Sequence, residues 1–181
     1  MGLQRPGLNE DVFGCIAEHQ NIKSAMGSVL GGEVELFTEQ IGIKPGWIEQ
    51  EQGGRSYFHQ DSWYWKIDPE LGCNCWIPMD FVDRDAIALA VMPESHLRWT
   101  LTEHESYFDD PAMGRMTEDT FAPFKRHRVI ESEVDFSREI LVPMGPGDGL
   151  FFTNYTWHRS EPNRTGQTKS YYAIAYQRAS A

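Results

Sequence analysis

Past residue 33 the apolar positions fall into short runs, each bounded by Gly, Pro, Asp or Asn. Runs rich in β-branched and aromatic residues and punctuated in this way predict strands. They cover 34–43 (VELFTEQIGI), 56–65 (SYFHQDSWYW), 73–81 (CNCWIPMDF), 86–92 (AIALAVM), 138–143, 150–157 (LFFTNYTW) and 169–178 (KSYYAIAYQR). Pro45-Gly46, Gly53-Gly54 and the string Gly145-Pro146-Gly147-Asp148-Gly149 mark turns between them. Ahead of the strands, residues 9–31 carry a helical period. Val12, Phe13 and Ile16, then Met26, Val29 and Leu30, form the apolar stripe, with Asn9 as N-cap, Asn21 as a second start after a break, and Gly31-Gly32 as the stop.

A helical start followed by many short strands predicts a mainly β fold with flanking helices, a sandwich or barrel. Residues 97–137 interrupt the strand pattern. They are polar, acidic at first and basic in the middle (Lys125-Arg126-His127-Arg128), and read as a long insertion: a lid or binding loop, or a solvated excursion with a short helix.

Composition narrows the function classes. At 181 residues the expectation is a single domain over 1–181. Lys and Arg number 16 against 27 Asp and Glu, so the net charge is 16 − 27 = −11. That balance opposes binding to nucleic acid, which needs a basic face, and to anionic membranes. No apolar run reaches transmembrane length, and MGLQRPGLNEDVF lacks the apolar stretch of a signal peptide. Cys15, Cys73 and Cys75 make an odd set, and Cys73-x-Cys75 has no second pair to hold zinc. Reduced thiols in a cytoplasmic protein are the expectation.

The candidate chemistry starts at His59-Gln60-Asp61. In a strand, residues two apart share a face, so an imidazole and a carboxylate would stand side by side. A third ligand would complete the two-His-one-carboxylate face that suits Fe(II) and leaves positions open. His158, just after Trp157 at the end of an aromatic run, is the candidate. His96 sits at a predicted strand end and His19 in the N-terminal helix. His104, between Glu103 and Glu105, and His127, in the basic run, read as solvated.

Several strings in order then resemble the phytanoyl-CoA dioxygenase family: Lys44-Pro45-Gly46, His59 through Trp65, Trp76 through Asp80, Met92 through His96, Gly147 through Phe152, His158, and Asn163-Arg164. The match runs from about Lys44 to Tyr176. The resemblance implies a double-stranded β-helix (a cupin-like jelly roll) and an oxygenase that uses Fe(II), 2-oxoglutarate and O₂. It would hydroxylate a small organic molecule while 2-oxoglutarate is decarboxylated to succinate. It implies His59, Asp61 and His158 as metal ligands and catalytic centre. It also places a basic residue, usually Arg, eleven positions after the distal His, to pair with the far carboxylate of 2-oxoglutarate. Here that position is Lys169, which keeps the charge and loses the bidentate fork. Lys44, Trp76 and Ser160 match further co-substrate positions. Asp61 stands where a related halogenase has a small residue, which argues against halogenation.

Strand parity supports Lys169 separately. If it points inward, so do Tyr171, Ala173, Ala175 and Gln177, and the two alanines leave room for a ligand. Arg164 is the other cation at hand, but Asn163-Arg164-Thr165-Gly166 reads as a turn. Trp63, Tyr64, Trp65, Tyr155 and Trp157 crowd the metal ligands in sequence and suit an apolar or aromatic substrate, or else form core. The acidic chain disfavours a polyanionic CoA ester, with the Lys125–Arg128 cluster weighing the other way. The alternative is a cupin-like metal-binding isomerase, or a non-catalytic ligand-binding protein, that does not use 2-oxoglutarate.

Overall fold

A computed structural model describes residues 2–5, 7, 11–46, 56–65, 67–68, 70–107 and 126–179. The N-terminal helical stretch is two helices, α1 (Asp11–Ala17) and α2 (Gln20–Leu30), with a break between them as expected. The break comes at His19, whose backbone is extended and whose ring accepts the Asn21 N–H, capping α2. The helix thus starts one residue before Asn21, and Asn9 lies outside the described residues. Gly31 ends α2 in the left-handed conformation (φ 70°), where a side chain would be strained. Met26 and Leu30 are buried as the stripe requires, with Phe13, Ile16 and Ile22 packed beside them. Val12 and Val29 are not: they are 60% and 56% exposed, because the buried stripe on α2 is the narrow one through Ile22, Met26 and Leu30.

The strands form a double-stranded β-helix. The larger sheet contains β1 (Gly2–Gln4), β2 (Val34–Lys44), β3 (Gly72–Pro78), β8 (Leu150–Thr153) and β10 (Lys169–Arg178), in the order β1-β2-β10-β3-β8. The smaller contains β4 (Leu89–Val91), β7 (Ile140–Val142) and β9 (His158–Ser160), in the order β7-β4-β9. A two-stranded ladder, β5 (His104–Tyr107) with β6 (Arg126–Val129), comes from the expected insertion. Two short 3-10 turns (131–133 and 136–138) follow it, while Lys125 and 108–124 lie outside the described residues.

Parity along β10 sorts two cores. Tyr172, Ile174 and Tyr176 face α1 and α2 with Cys73 and Cys75 of β3. Tyr171 and Ala173 face the space between the sheets, with Trp76, Leu89, Leu150 and Phe152. Tyr176 donates to the Ala17 carbonyl and Tyr172 to the Phe13 carbonyl (3.3 Å), which tie α1 to the sheet. Burial pushes the Cys73 and Cys75 thiols up to about 12, so both stay protonated, and all three cysteines are free. Among the described residues no helix is long and apolar enough to cross a membrane.

Several expected strands are shorter than their apolar runs. The run 150–157 stops at Thr153 because Asn154–Thr156 turns back, with Thr156 N–H donating to the Thr153 carbonyl (2.9 Å). The run 86–92 is strand only from Leu89, since Ala86 and Ala88 bond to Asp83 and Ile87 is left-handed (φ 58°). The turn at Gly145–Gly149 forms as expected: Asp148 N–H donates to the Gly145 carbonyl, and Gly147 has φ 96°.

On the outer side of β9, Arg159 is buried. It donates to both carboxylate oxygens of Glu139 (2.8 to 3.0 Å) and to Glu161 (3.0 Å). Removing one partner of a buried ionic cluster leaves charge uncompensated. Arg159→Ala is therefore expected to cost about 3–5 kcal/mol of unfolding free energy. Urea denaturation of both proteins at one pH checks this, and a loss below about 1 kcal/mol would mean the cluster behaves as a surface one.

Candidate metal centre

The segment carrying His59 and Asp61 is not the strand expected over 56–65. His59 makes a single antiparallel bridge to His158, through two backbone hydrogen bonds of 3.1 and 3.2 Å, extending the small sheet past β9. Pairing then stops. Asp61–Trp63 is a 3-10 turn, with the Asp61 carbonyl accepting from Tyr64 and Trp65 (both 2.9 Å), and Ser62 N–H donates to Asn154. His59 and Asp61 meet because the chain curls there, not because they alternate along a strand. His158 opens β9 rather than closing an aromatic strand.

The geometry is convergent. His59 Nε2 lies 3.7 Å from Asp61 Oδ1, and His158 Nε2 lies 3.6 Å from Asp61 Oδ2. One ligand atom from each residue falls within 4.8 Å of the other two. Each imidazole turns its Nδ1 to a carbonyl, His59 to Tyr57 (2.9 Å) and His158 to Thr156 (3.0 Å). A carbonyl only accepts, so both Nδ1 atoms carry the proton and both Nε2 atoms present lone pairs. Burial and the neighbouring His158 lower the His59 pKa from 6.5 to about 4, so its ring is neutral near pH 7. Two bare nitrogens and a carboxylate thus face one another beyond hydrogen-bonding distance. Such a set repels itself unless a cation sits between its members, and N,N,O donors suit a divalent transition metal. On this ground the residues fit iron.

The shift has a sign. In the metal-free protein the unfolded chain takes up a proton at His59 near pH 6.5 and the folded chain only near 4. This contribution to stability is complete above pH 6.5 and is lost as pH falls towards 4. Denaturation of the metal-free protein across that range is expected to show stability falling. A flat profile would contradict the assignment.

Around the centre, Asn74 on β3 donates to Asp61 Oδ2 (2.7 Å). The Phe152 ring lies 4.6 Å from that of His158, and Tyr64 sits 6.3 Å edge-on to His59. Asn74 has no place in the expectations from sequence, although it lies two residues before Trp76 and shares its face. The other aromatics near the ligands in sequence point elsewhere. Trp63 stacks on His104 (4.4 Å), Trp65 packs on Phe37, Tyr155 on Trp99, and Trp157 joins the cluster behind the small sheet. His104, expected to be solvated, is buried, and His127 is half-buried against Trp63 and Tyr64.

Between the sheets lies a cationic corner. Lys44, at the end of β2, stands in register with Lys169, at the start of β10. Register partners share a face, and Lys44 Nζ reaches across to Ser160 Oγ (2.5 Å) and the Glu161 carbonyl (3.1 Å) on the opposite sheet. Lys169 therefore also points inward. Its side chain is 12% exposed and its ammonium lies 4.0 Å from Asp80. Ser160 is held by Ser56, whose hydroxyl accepts its N–H (2.6 Å). Next along the same face, Tyr171 stacks on Trp76 (4.9 Å). Arg164 sits in the turn expected for it, exposed and paired with Asp85. Two lysines directly opposed on one face of a sheet destabilise it unless an anion lies between them.

The profile of the phytanoyl-CoA dioxygenase (PhyH) family matches residues 10–171. A methylphosphonate hydroxylase of Gimesia maris is 29% identical over 157 residues, covering 86% of this chain and 50% of that protein. The chain thus spans about half the length of that curated relative. Among solved structures, EvdO2 of Micromonospora carbonacea in complex with 2-oxoglutarate superposes with a TM-score of 0.74 at 19% identity, over 100% of this chain and 68% of that one. The epimerase SnoN from nogalamycin biosynthesis, in complex with Fe3+, alpha-ketoglutarate and nogalamycin RO, gives 0.71 at 17%, over 98% and 63%. With the profile matching most of its length, the chain belongs to the phytanoyl-CoA dioxygenase family.

Proposed function

We propose that this protein is an Fe(II)- and 2-oxoglutarate-dependent oxygenase, its domain spanning 1–181, that hydroxylates a small organic molecule in the cytoplasm. The observation that carries the reading is the convergence of two Nε2 lone pairs and one carboxylate on a common point. His59, Asp61 and His158 are the metal ligands in this reading. Bound there, iron and 2-oxoglutarate supply the O₂-dependent oxidation of a C–H bond, with succinate and CO₂ as co-products. The chain's own part is placement. Thr156 and Tyr57 fix the imidazole tautomers, and Asn74 fixes the carboxylate. Lys169, Lys44 and Ser160 receive the far carboxylate of the co-substrate, and Trp76 walls its pocket. A cavity of about 320 Å³, with Val91, Met92, Leu150, Phe152 and Thr156 in its wall, offers mostly apolar room beside Phe152, whose ring lies against His158.

The relative's name supplies a first substrate to try. Protein loaded with Fe(II) without oxygen, then given O₂, 2-oxoglutarate and a panel including methylphosphonate, is expected to release succinate only when iron is present. Iron binding with no succinate from any of them would favour a cupin-like isomerase or ligand-binding protein instead.

A further inference from the structure

Gln60 lies between the two early ligands and is fully buried. Its side chain has donors and acceptor all engaged. Nε2 donates to the carbonyls of Thr100 (3.0 Å) and Tyr155 (2.9 Å), and Oε1 accepts the Thr102 N–H (2.8 Å). Its backbone N–H has no strand partner and donates instead to His104 Nε2 (3.1 Å). The other ring nitrogen of His104, Nδ1, faces the Thr102 carbonyl at 2.7 Å. A carbonyl accepts, so Nδ1 carries the proton and Nε2 is bare: one neutral tautomer satisfies both bonds. The Trp63 ring stacks over this imidazole, 4.4 Å away and 21° from parallel. Further along, the β6 strand bonds to the same segment, through Val129 N–H to the Phe58 carbonyl (2.7 Å) and His127 N–H to the Tyr64 hydroxyl (2.8 Å).

We propose that His104 is a positioning residue for the metal centre, its imidazole standing in for the missing strand neighbour of Gln60 and so fixing the spacing of His59 and Asp61. The inference rests on the metal-centre reading above and deepens it. The insertion is then part of the site's wall: residues 100–104 grip Gln60, and Gln60 grips the Tyr155 turn that leads to His158. Both arms of the centre hang on one buried glutamine, and its backbone hangs on one histidine. Outer-shell groups of this kind change metal affinity by about 10–100-fold.

The test uses cobalt(II) as the probe, titrated into the whole chain and followed by its visible d–d absorption. His104→Phe keeps the stack on Trp63 and removes the acceptor. It is expected to weaken cobalt binding by about 10–100-fold and to alter the d–d bands. His104→Gln, whose Oε1 takes the place of Nε2, is expected to restore most of the affinity and the wild-type bands, which repair of packing alone would not do. Cobalt bound alike by wild type and His104→Phe overturns the brace while leaving the metal centre standing. A wild type that binds no cobalt overturns the metal centre itself. Should His104→Phe not fold, the wild type still decides. Nitrogen-15 NMR of its histidines at pH 7.5 is expected to show His104 with a protonated Nδ1 and a bare Nε2, and a protonated Nε2 overturns the proposal.

Discussion

Asp61→Ala is expected to abolish iron binding and, with it, succinate formation. Of the three converging groups Asp61 alone can bring negative charge, and each imidazole, with Nδ1 turned to a carbonyl, offers only its Nε2. Without the carboxylate two nitrogens remain, on one side of a site otherwise open. The loss should exceed the about 10–100-fold that outer-shell changes bring, because a ligand goes rather than its support. A second effect works in the same direction. Asn74 is buried, and its amide loses its 2.7 Å acceptor, which leaves a donor unsatisfied at about 1–3 kcal/mol. Anaerobic calorimetry with Fe(II) is the measurement, and unchanged affinity would remove Asp61 from the ligand set. Asp61→Asn separates the two contributions, since it keeps an oxygen for Asn74 but not the charge.

Lys169→Ala is expected to raise the KM for 2-oxoglutarate with less effect on the rate at saturation. A charge-assisted hydrogen bond contributes about 1.5–3 kcal/mol, which corresponds to roughly 10- to 100-fold in affinity. The variant leaves Lys44 in place, already bonded to Ser160 and the Glu161 carbonyl, so binding should weaken rather than vanish. The change removes the 4.0 Å ion pair with the half-exposed Asp80 and relieves two cations facing each other across β2 and β10, so the ligand-free protein is expected to change little in stability. Lys169→Arg is expected to bind at least as tightly as wild type through its bidentate fork. Initial rates over a 2-oxoglutarate series, with melting curves of the ligand-free proteins, test both statements. An unchanged KM for Lys169→Ala would move the acid pocket elsewhere.

The sequence made some of this legible and hid the rest for a physical reason. β10 runs from Lys169 to Arg178 as its alternation of small and aromatic residues indicates, and that parity turns Lys169 inward with Tyr171 and Ala173. Gly31 and Gly147 sit where only a residue without a side chain is at ease. These features depend on backbone period and local conformation, which a sequence displays. The metal segment depends on neither. Strand parity pointed to His59 and Asp61 as a pair, yet the chain there leaves the ladder after one bridge and curls. What holds it is a set of hydrogen bonds from the Thr100 carbonyl, the Thr102 N–H, the His104 ring and the Asn154 amide, 40 or more positions away. His104 looked solvated because acidic residues flank it, whereas the ring is buried and the exposed neighbours are Glu103 and Glu105. The break between the two helices was legible, but its cap was not: His19 caps α2 with its own ring, where Asn21 was the expected start.

The bridge between His59 and His158 also bears on how the chain folds. It joins segments from opposite halves of the sequence, so the contact forms only after a long loop closes, and an ion gripped at that junction would favour the folded state by an amount that grows with the logarithm of its supply. Iron would then act as a clasp on the architecture as well as a reagent. Without the metal that clasp would be missing, and the folded state would lose its support.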